Sequence, residues 1–284
     1  MKKQLSEVIY TPESLVRNPV KLVQSMFQDL MAARELAWRL AVRDISTKYR
    51  ESVLGLLWAF IPPILAGIVF IFLHNKKVVD FGDVGMPYAV FAFVGTTLWQ
   101  SFVESINSPL QVVNSAKPML AKINFPREAL IISAFYQSLF GLLIKSLLLG
   151  AIVIYFDINV SIISVLFIVP AILLVLLGII IGLLLTPLGA LYSDVSSSVL
   201  VFTQFLFFLT PVVYAPPTTY PYSLLASANP VSPFLNAARD ILVLGTINNL
   251  TLVIIASTIL LMILFAGWLI YRLAMPIIIE RISA

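Results

Sequence analysis

Residues 1–52 are polar and charged, and the next 21, from Val53 to Leu73, carry no charge at all. As a helix rising 1.5 Å per residue, that run reaches roughly 32 Å, enough to cross a hydrocarbon core of about 30 Å. Five further apolar runs follow, at about 87–107, 129–156, 161–188, 199–215 and 250–271. The pattern predicts an all-α integral membrane protein with six transmembrane helices. It divides the chain into an N-terminal cytoplasmic segment over 1–52, a six-span domain over 53–271 and a cytoplasmic tail over 272–284. The fourth run contains Pro170 and ends near Pro187, which a span tolerates when neighbouring helices satisfy the freed carbonyls.

Within the polar front, Asn18-Pro19 reads as a helix start, with asparagine as the N-cap and proline at the first helical position. Val23, Met26, Phe27, Leu30, Ala33, Ala37 and Ala41 then recur at helical spacing, with Lys21, Gln24, Gln28, Glu35, Arg39 and Arg43 opposite. Glu35–Arg39 and Asp44–Lys48 are spaced as i, i+4 ion pairs. The apolar face suits the cytoplasmic interface of a membrane, or alternatively a docked protein surface. Between spans two and three, residues 108–128 read as a basic loop. Between spans five and six, residues 216–249 hold five prolines and an apolar stretch, Phe234 to Leu244, too short to span and suited to a helix dipping in from outside.

Composition supports a lipid environment. Hydrophobic residues make up 60% of the chain and charged residues 11%, less than half the charged share usual in soluble domains, about 25%. The mean hydropathy is +1.00. The formal net charge of +4 is accounted for by positive-inside bias, so no nucleic-acid partner is expected. Nine Lys and Arg precede span one, three lie in 108–128 and two follow span six, against Lys76, Lys77 and Arg239 on the other side. Both termini therefore belong in the cytoplasm. The opening MKKQLSEVIY has no long apolar run, against a cleaved signal peptide.

Catalytic chemistry is sparse. There is no cysteine, one histidine (His74) and no GxxxxGK[ST], HExxH or GxSxG motif, so no metal site, cofactor or ATP hydrolysis is expected on this chain. Asp80 and Asp83 share one short loop and read as solvated. Two charges interrupt the spans. Glu104 falls near the cytoplasmic end of span two and Lys145 deep in span three, which puts them at different depths and unpaired. Aromatic residues crowd spans two and five, among them Phe91, Trp99, Phe102, Phe205, Phe208 and Tyr214. Their rings suit stacking on sugars in a pore, or ordinary lipid contact.

Several local patterns resemble those of the permease subunit of ABC polysaccharide exporters, the family that exports O-antigen, capsule and teichoic-acid chains. They are Arg43-Asp44-Ile45 through Lys48-Tyr49-Arg50, Ser52-Val53-Leu54-Gly55 with Leu57-Trp58, Lys122-Ile123-Asn124-Phe125-Pro126-Arg127-Glu128, Thr210-Pro211-Val212-Val213-Tyr214, and Asn229-Pro230 followed by Arg239-Asp240. A departure is Tyr192-Ser193-Asp194-Val195, where relatives often carry arginine second. The resemblance implies a homodimer in the bacterial cytoplasmic (inner) membrane, working with two separate ABC ATPase subunits that hold ATP and magnesium. It implies a polyprenyl-diphosphate-linked polysaccharide as substrate, with lipid contact along the interface helix. Residues 108–128 would hold a short coupling helix delimited by Pro118 and Pro126, with Lys117, Leu120, Lys122, Phe125 and Arg127 meeting the ATPase. Residues 216–249 would form two short re-entrant helices, and Arg43, Lys48 and Arg50 would attract the substrate diphosphate. A permease for a smaller lipid or drug, a gradient-driven transporter and a membrane glycosyltransferase are the alternatives.

Overall fold

The computed structural model describes residues 19–50, 52–120, 122–123, 125–159, 161–217 and 219–283. Among these the chain is helical with no strand: α1 (Pro19–Ala32), α2 (Arg34–Arg50), α3 (Ile61–Asn75), α4 (Tyr88–Leu120), α5 (Glu128–Tyr155), α6 (Ile168–Leu191), α7 (Asp194–Leu209), α8 (Tyr222–Ala228), α9 (Ser232–Leu244) and α10 (Leu250–Ser283). Short 3₁₀ turns at Gly55–Ala59 and Ile162–Phe167 lead into α3 and α6. The N-cap read at Asn18 lies outside the described residues.

Among the described residues, four helices are long and apolar enough to cross a membrane: α4, α5, α6 with its leading 3₁₀ turn, and α10. The protein is a multi-pass helical membrane protein. α3 and α7 are apolar but have only 15 and 16 residues, about 23 Å each.

Three element ends differ from the sequence pattern. The stretch 108–120 is not loop, because α4 runs for 33 residues through Pro109 and Pro118. Pro118 therefore starts no separate coupling helix. Side chains around Pro109 are buried against α5 and α6, and that packing holds the helix across the lost hydrogen bonds. α10 similarly passes through Pro276 to Ser283, well beyond 271. The amphipathic front is two helices that bend at Ala33, a fully buried residue.

α4 is the central post of the bundle, buried on almost every side between α3, α5, α6, α7 and α9. Its closest partner is α6, and Gly178 and Gly182 explain the distance. A Cβ on Gly178 would sit 1.9 Å from the Ser105 hydroxyl, and one on Gly182 would sit 2.2 Å from the Ile106 carbonyl oxygen. One turn apart on α6, the two glycines bring the backbones together, the usual device where lipid supplies no hydrophobic drive between helices. Gly182→Ala should destabilise the protein by about 2 kcal/mol through overpacking, read as a lower melting temperature in detergent. Gly150→Ala, where nothing lies within 4 Å, should melt at or slightly above wild type, since alanine is the better helix former. Equal melting of the two variants would contradict the packing.

α1 and α2 lie on the bundle. α2 crosses α5, with Trp38 edge-on to Tyr136 at 5.8 Å and Tyr49 against Phe140 at 6.0 Å. Leu22, Met26, Ala33, Ala37, Leu40 and Ala41 form the buried face, while Met31, Trp38 and Val42 stay exposed. One face is thus docked on protein and an apolar strip is left beside it.

Candidate functional site

Three constellations of charge organise the bundle. The first joins α4 to α5. Lys145 Nζ lies 2.6 Å from Glu104 Oε2; the lysine side chain is 1% exposed and the glutamate side chain 42%. This overturns the expectation that the two stand at different depths. α4 and α5 are antiparallel, and α4 ends at Leu120 rather than near 107. Glu104 is then about 24 Å above the end of α4, and Lys145 about 26 Å above the start of α5. Gly141 makes room, since a Cβ there would come within 3.2 Å of Glu104 Oε2.

The end of α2 reaches the same place. Burial first, and then the negative charge of Glu104, push the phenol of Tyr49 above its ordinary pKa, so Tyr49 stays a neutral hydroxyl. Around it Arg43, Lys48 and Arg50 are exposed. Arg43 pairs with its neighbour Asp44 at 2.7 Å, and Lys48 stands 5.6 Å from the Tyr49 ring centroid. Glu35–Arg39 forms the expected pair at 2.5 Å. Asp44–Lys48 does not, because Asp44 turns toward α5 and accepts a hydrogen bond from Gln137 at 3.1 Å.

The second constellation gathers the motif residues of the far end. α7 breaks at Thr210, which is extended, and the break frees backbone carbonyls. Arg239, on α9 and 1% exposed, donates to the Val212 oxygen at 2.6 Å and to the Pro211 oxygen at 3.3 Å. Its guanidinium carbon stands 3.6 Å over the Phe91 ring. The Tyr88 hydroxyl donates to the Val213 oxygen at 3.0 Å, and Asn229 Nδ2 donates to Thr210 Oγ1 at 2.8 Å. Gly95 admits the clamp, since a Cβ there would lie 2.0 Å from the Val212 oxygen. The local patterns at 210–214, 229–230 and 239 are thus one object, a guanidinium clamp holding a broken helix against α4.

The third constellation was missed in the sequence, where Arg272 fell in the tail. Arg272 contacts Glu128 at the start of α5, and it donates to Asp29 Oδ2 at 2.6 Å and to Ser25 Oγ at 3.2 Å on α1. The Tyr271 hydroxyl donates to the Arg127 oxygen at 3.3 Å, and Phe27 packs edge-on to Trp268 at 5.5 Å. The available signal was Asp29, a charge on the otherwise apolar side of α1. The knot ties α1, α5 and α10 at the α4–α5 turn.

At that turn Lys122 and Ile123 are exposed, Lys117 and Arg127 are half-buried, and Phe125 packs partly against the core. Leu120 is buried, so it faces the bundle rather than a partner. The aromatic set divides. Phe91, Trp99 and Phe102 are buried in the bundle, which corrects their reading as pore lining: Phe91 is the ring under Arg239, and Trp99 packs on Phe102 and Phe207. Phe205 and Phe208 are exposed on α7, and Tyr214 is half-buried with its hydroxyl donating to the Phe208 oxygen at 3.0 Å. Asp80 and Asp83 each accept a hydrogen bond from an amide two residues on, Gly82 and Gly85, at 2.9 and 3.0 Å. They are turn formers.

The described residues form a multi-span helical bundle tied by buried charge clamps. Residues 35–243 match the family of ABC-2 type transporters, and the chain belongs to that family of membrane permeases. Among its relatives is an O-antigen export system permease protein RfbA from Myxococcus xanthus, 30% identical over 111 residues, covering 39% of this chain and 40% of that protein. Two proteins of the same name from Klebsiella pneumoniae are 23% and 24% identical over 210 residues, covering 72% of this chain and 79% of each.

Proposed function

We propose that this chain is the membrane subunit of an ATP-driven exporter that moves a lipid-linked polysaccharide across a bacterial cytoplasmic membrane. The observation that carries this reading is the similarity, over most of the chain, to permeases named for O-antigen export. Two copies form the pathway, and a pair of separate ABC ATPase subunits binds ATP and magnesium. Six segments cross the bilayer, the two shorter ones being α3 with its 3₁₀ turn and α7 with the extended 210–214. Both termini lie in the cytoplasm.

Helix lengths support this orientation. α4 and α10 have 33 and 34 residues, about 50 Å each, so roughly 20 Å of each stands beyond the hydrocarbon. The projecting end carries Lys117, Lys122 and Arg127 and is bound to α1 and α10 through Arg272. ATP-driven closure of the ATPases pushes on this rigid end, and the bundle moves as a body. α8 and α9 close the outer face, held by Arg239. The lipid-linked glycan docks beside α2, where Arg43, Lys48 and Arg50 attract its diphosphate.

Purification of a C-terminally tagged chain from native membranes in mild detergent should bring down a P-loop ATPase at 1:1. Recovery of the chain alone under cross-linking would sink the reading. Ile123→Asp, placed on an exposed apolar residue (58%) at the turn, should leave membrane levels unchanged and weaken ATPase recovery by about tenfold.

A further inference from the structure

On α4, every position from Val94 to Trp99 is buried, but from Gln100 downward one face opens. Gln100, Glu104, Asn107, Gln111 and Asn114 lie on it at i, i+4, i+7, i+11 and i+14, the repeat of one helical face. Val103 is the apolar exception among the half-buried positions there. The ladder rises about 21 Å. The open faces of α3 and α7 are mainly apolar, with Leu65, Ile68, Val69 and Phe72 on α3 and Phe202, Phe205 and Phe208 on α7, where Gln204 is a lone exposed amide rather than part of a ladder. Asn107, Gln111 and Asn114 lie within about 20 Å of the end of α4, the part that projects beyond the hydrocarbon, while Gln100 and Glu104 stand about 30 and 24 Å from that end, at lipid depth. Polar side chains are costly in contact with lipid, because no partner there takes their hydrogen bonds. The upper rungs therefore meet water or a polar occupant, continuous with the cytoplasm.

One observation limits the charge of that occupant. Glu104, the charged rung, is neutralised from behind by Lys145, whose own side chain is buried. The ladder thus offers donors and acceptors without net charge. It also starts beside the end of α2, since Tyr49 packs on Phe140, next to the Gly141 that borders Glu104.

Resting on the export reading above, we propose that this ladder is the inner wall of a hydrated groove that takes a neutral, polyhydroxylated chain by its hydroxyl groups. Carboxamides donate and accept at once, as hydroxyls do, so successive sugar rings exchange partners along the ladder. No fixed ion holds the chain in place. The diphosphate end stays with the cations of α2, and the uncharged part of the substrate enters the ladder.

The chain has no cysteine, so single cysteines can be read without background. In inside-out vesicles containing the full chain and its ATPase, Gln100→Cys should react with a membrane-impermeant methanethiosulfonate cation at least about tenfold faster than Leu143→Cys and Leu147→Cys, exposed apolar positions of α5, because the thiolate forms only in water. Equal rates overturn the groove, and so does a spontaneous disulfide between copies, which makes the face a subunit contact. Gln100→Leu with Asn107→Leu should lower glycan export by about tenfold at unchanged membrane level and melting temperature, and Asn107→Gln should keep it. Full export by the double leucine variant overturns the ladder while leaving the exporter reading intact. A wild-type chain that moves no glycan overturns both.

Discussion

Arg239→Met will destabilise the protein more than any other single change considered, by roughly 3–5 kcal/mol. The guanidinium makes its bonds to the carbonyls of Pro211 and Val212 within a buried site, over the face of Phe91. Removing it strands two backbone carbonyls at the break in α7, each costing about 1–3 kcal/mol when unpaired. It also empties the space over the ring, a contact worth up to about 2 kcal/mol when desolvated. Arg239→Lys should recover part of the loss only, because an ammonium is a point charge that cannot bridge two carbonyls while lying flat on an aromatic face. Thermal unfolding in detergent checks the order wild type, then Arg239→Lys, then Arg239→Met. Melting of the methionine variant within a degree of wild type would mean that the clamp does not hold the outer face.

The second large effect is at the Glu104–Lys145 pair. Glu104→Gln leaves the ammonium of Lys145 buried without its anion, and breaking such a pair on one side costs about 3 kcal/mol. Lys145→Met should cost less, about 1 kcal/mol, because the half-exposed carboxylate finds water. The double variant Glu104→Gln/Lys145→Met should cost only about 1 kcal/mol, regaining most of the glutamine variant's loss, a coupling of about 3 kcal/mol in a double-mutant cycle. Strict additivity of the two single changes would show that the charges do not interact.

Much of this protein was legible along the chain. The apolar runs placed α5 and α9 close to their observed bounds, and the patterns at 210–214, 229–230 and 239 marked residues that prove to be one clamp. The errors share a physical origin. An apolar run ends where charge and proline begin, yet a helix ends where its backbone bonds and packing end. α4 therefore outlasts its hydrophobic stretch, and that single extension turned Glu104 from the foot of a span into the partner of Lys145. Arg272 was hidden for the same reason, since α10 passes beyond its apolar part before meeting Asp29 and Glu128. Phe91, Trp99 and Phe102 were candidates for a pore because aromatic content says nothing of which way a helix faces.

The sequence by itself determined a helical membrane protein, because that much apolar surface has no solvent but lipid and only hydrogen-bonded backbone survives there. It also pointed to the family, through a resemblance of short patterns that the match over residues 35–243 bears out. The tertiary structure decided which charges meet, which aromatics are buried and which face of α4 stays open. Those outcomes depend on helix length, antiparallel register and the close approach of α4 to Gly178 and Gly182, relations between segments that no local pattern of residues contains.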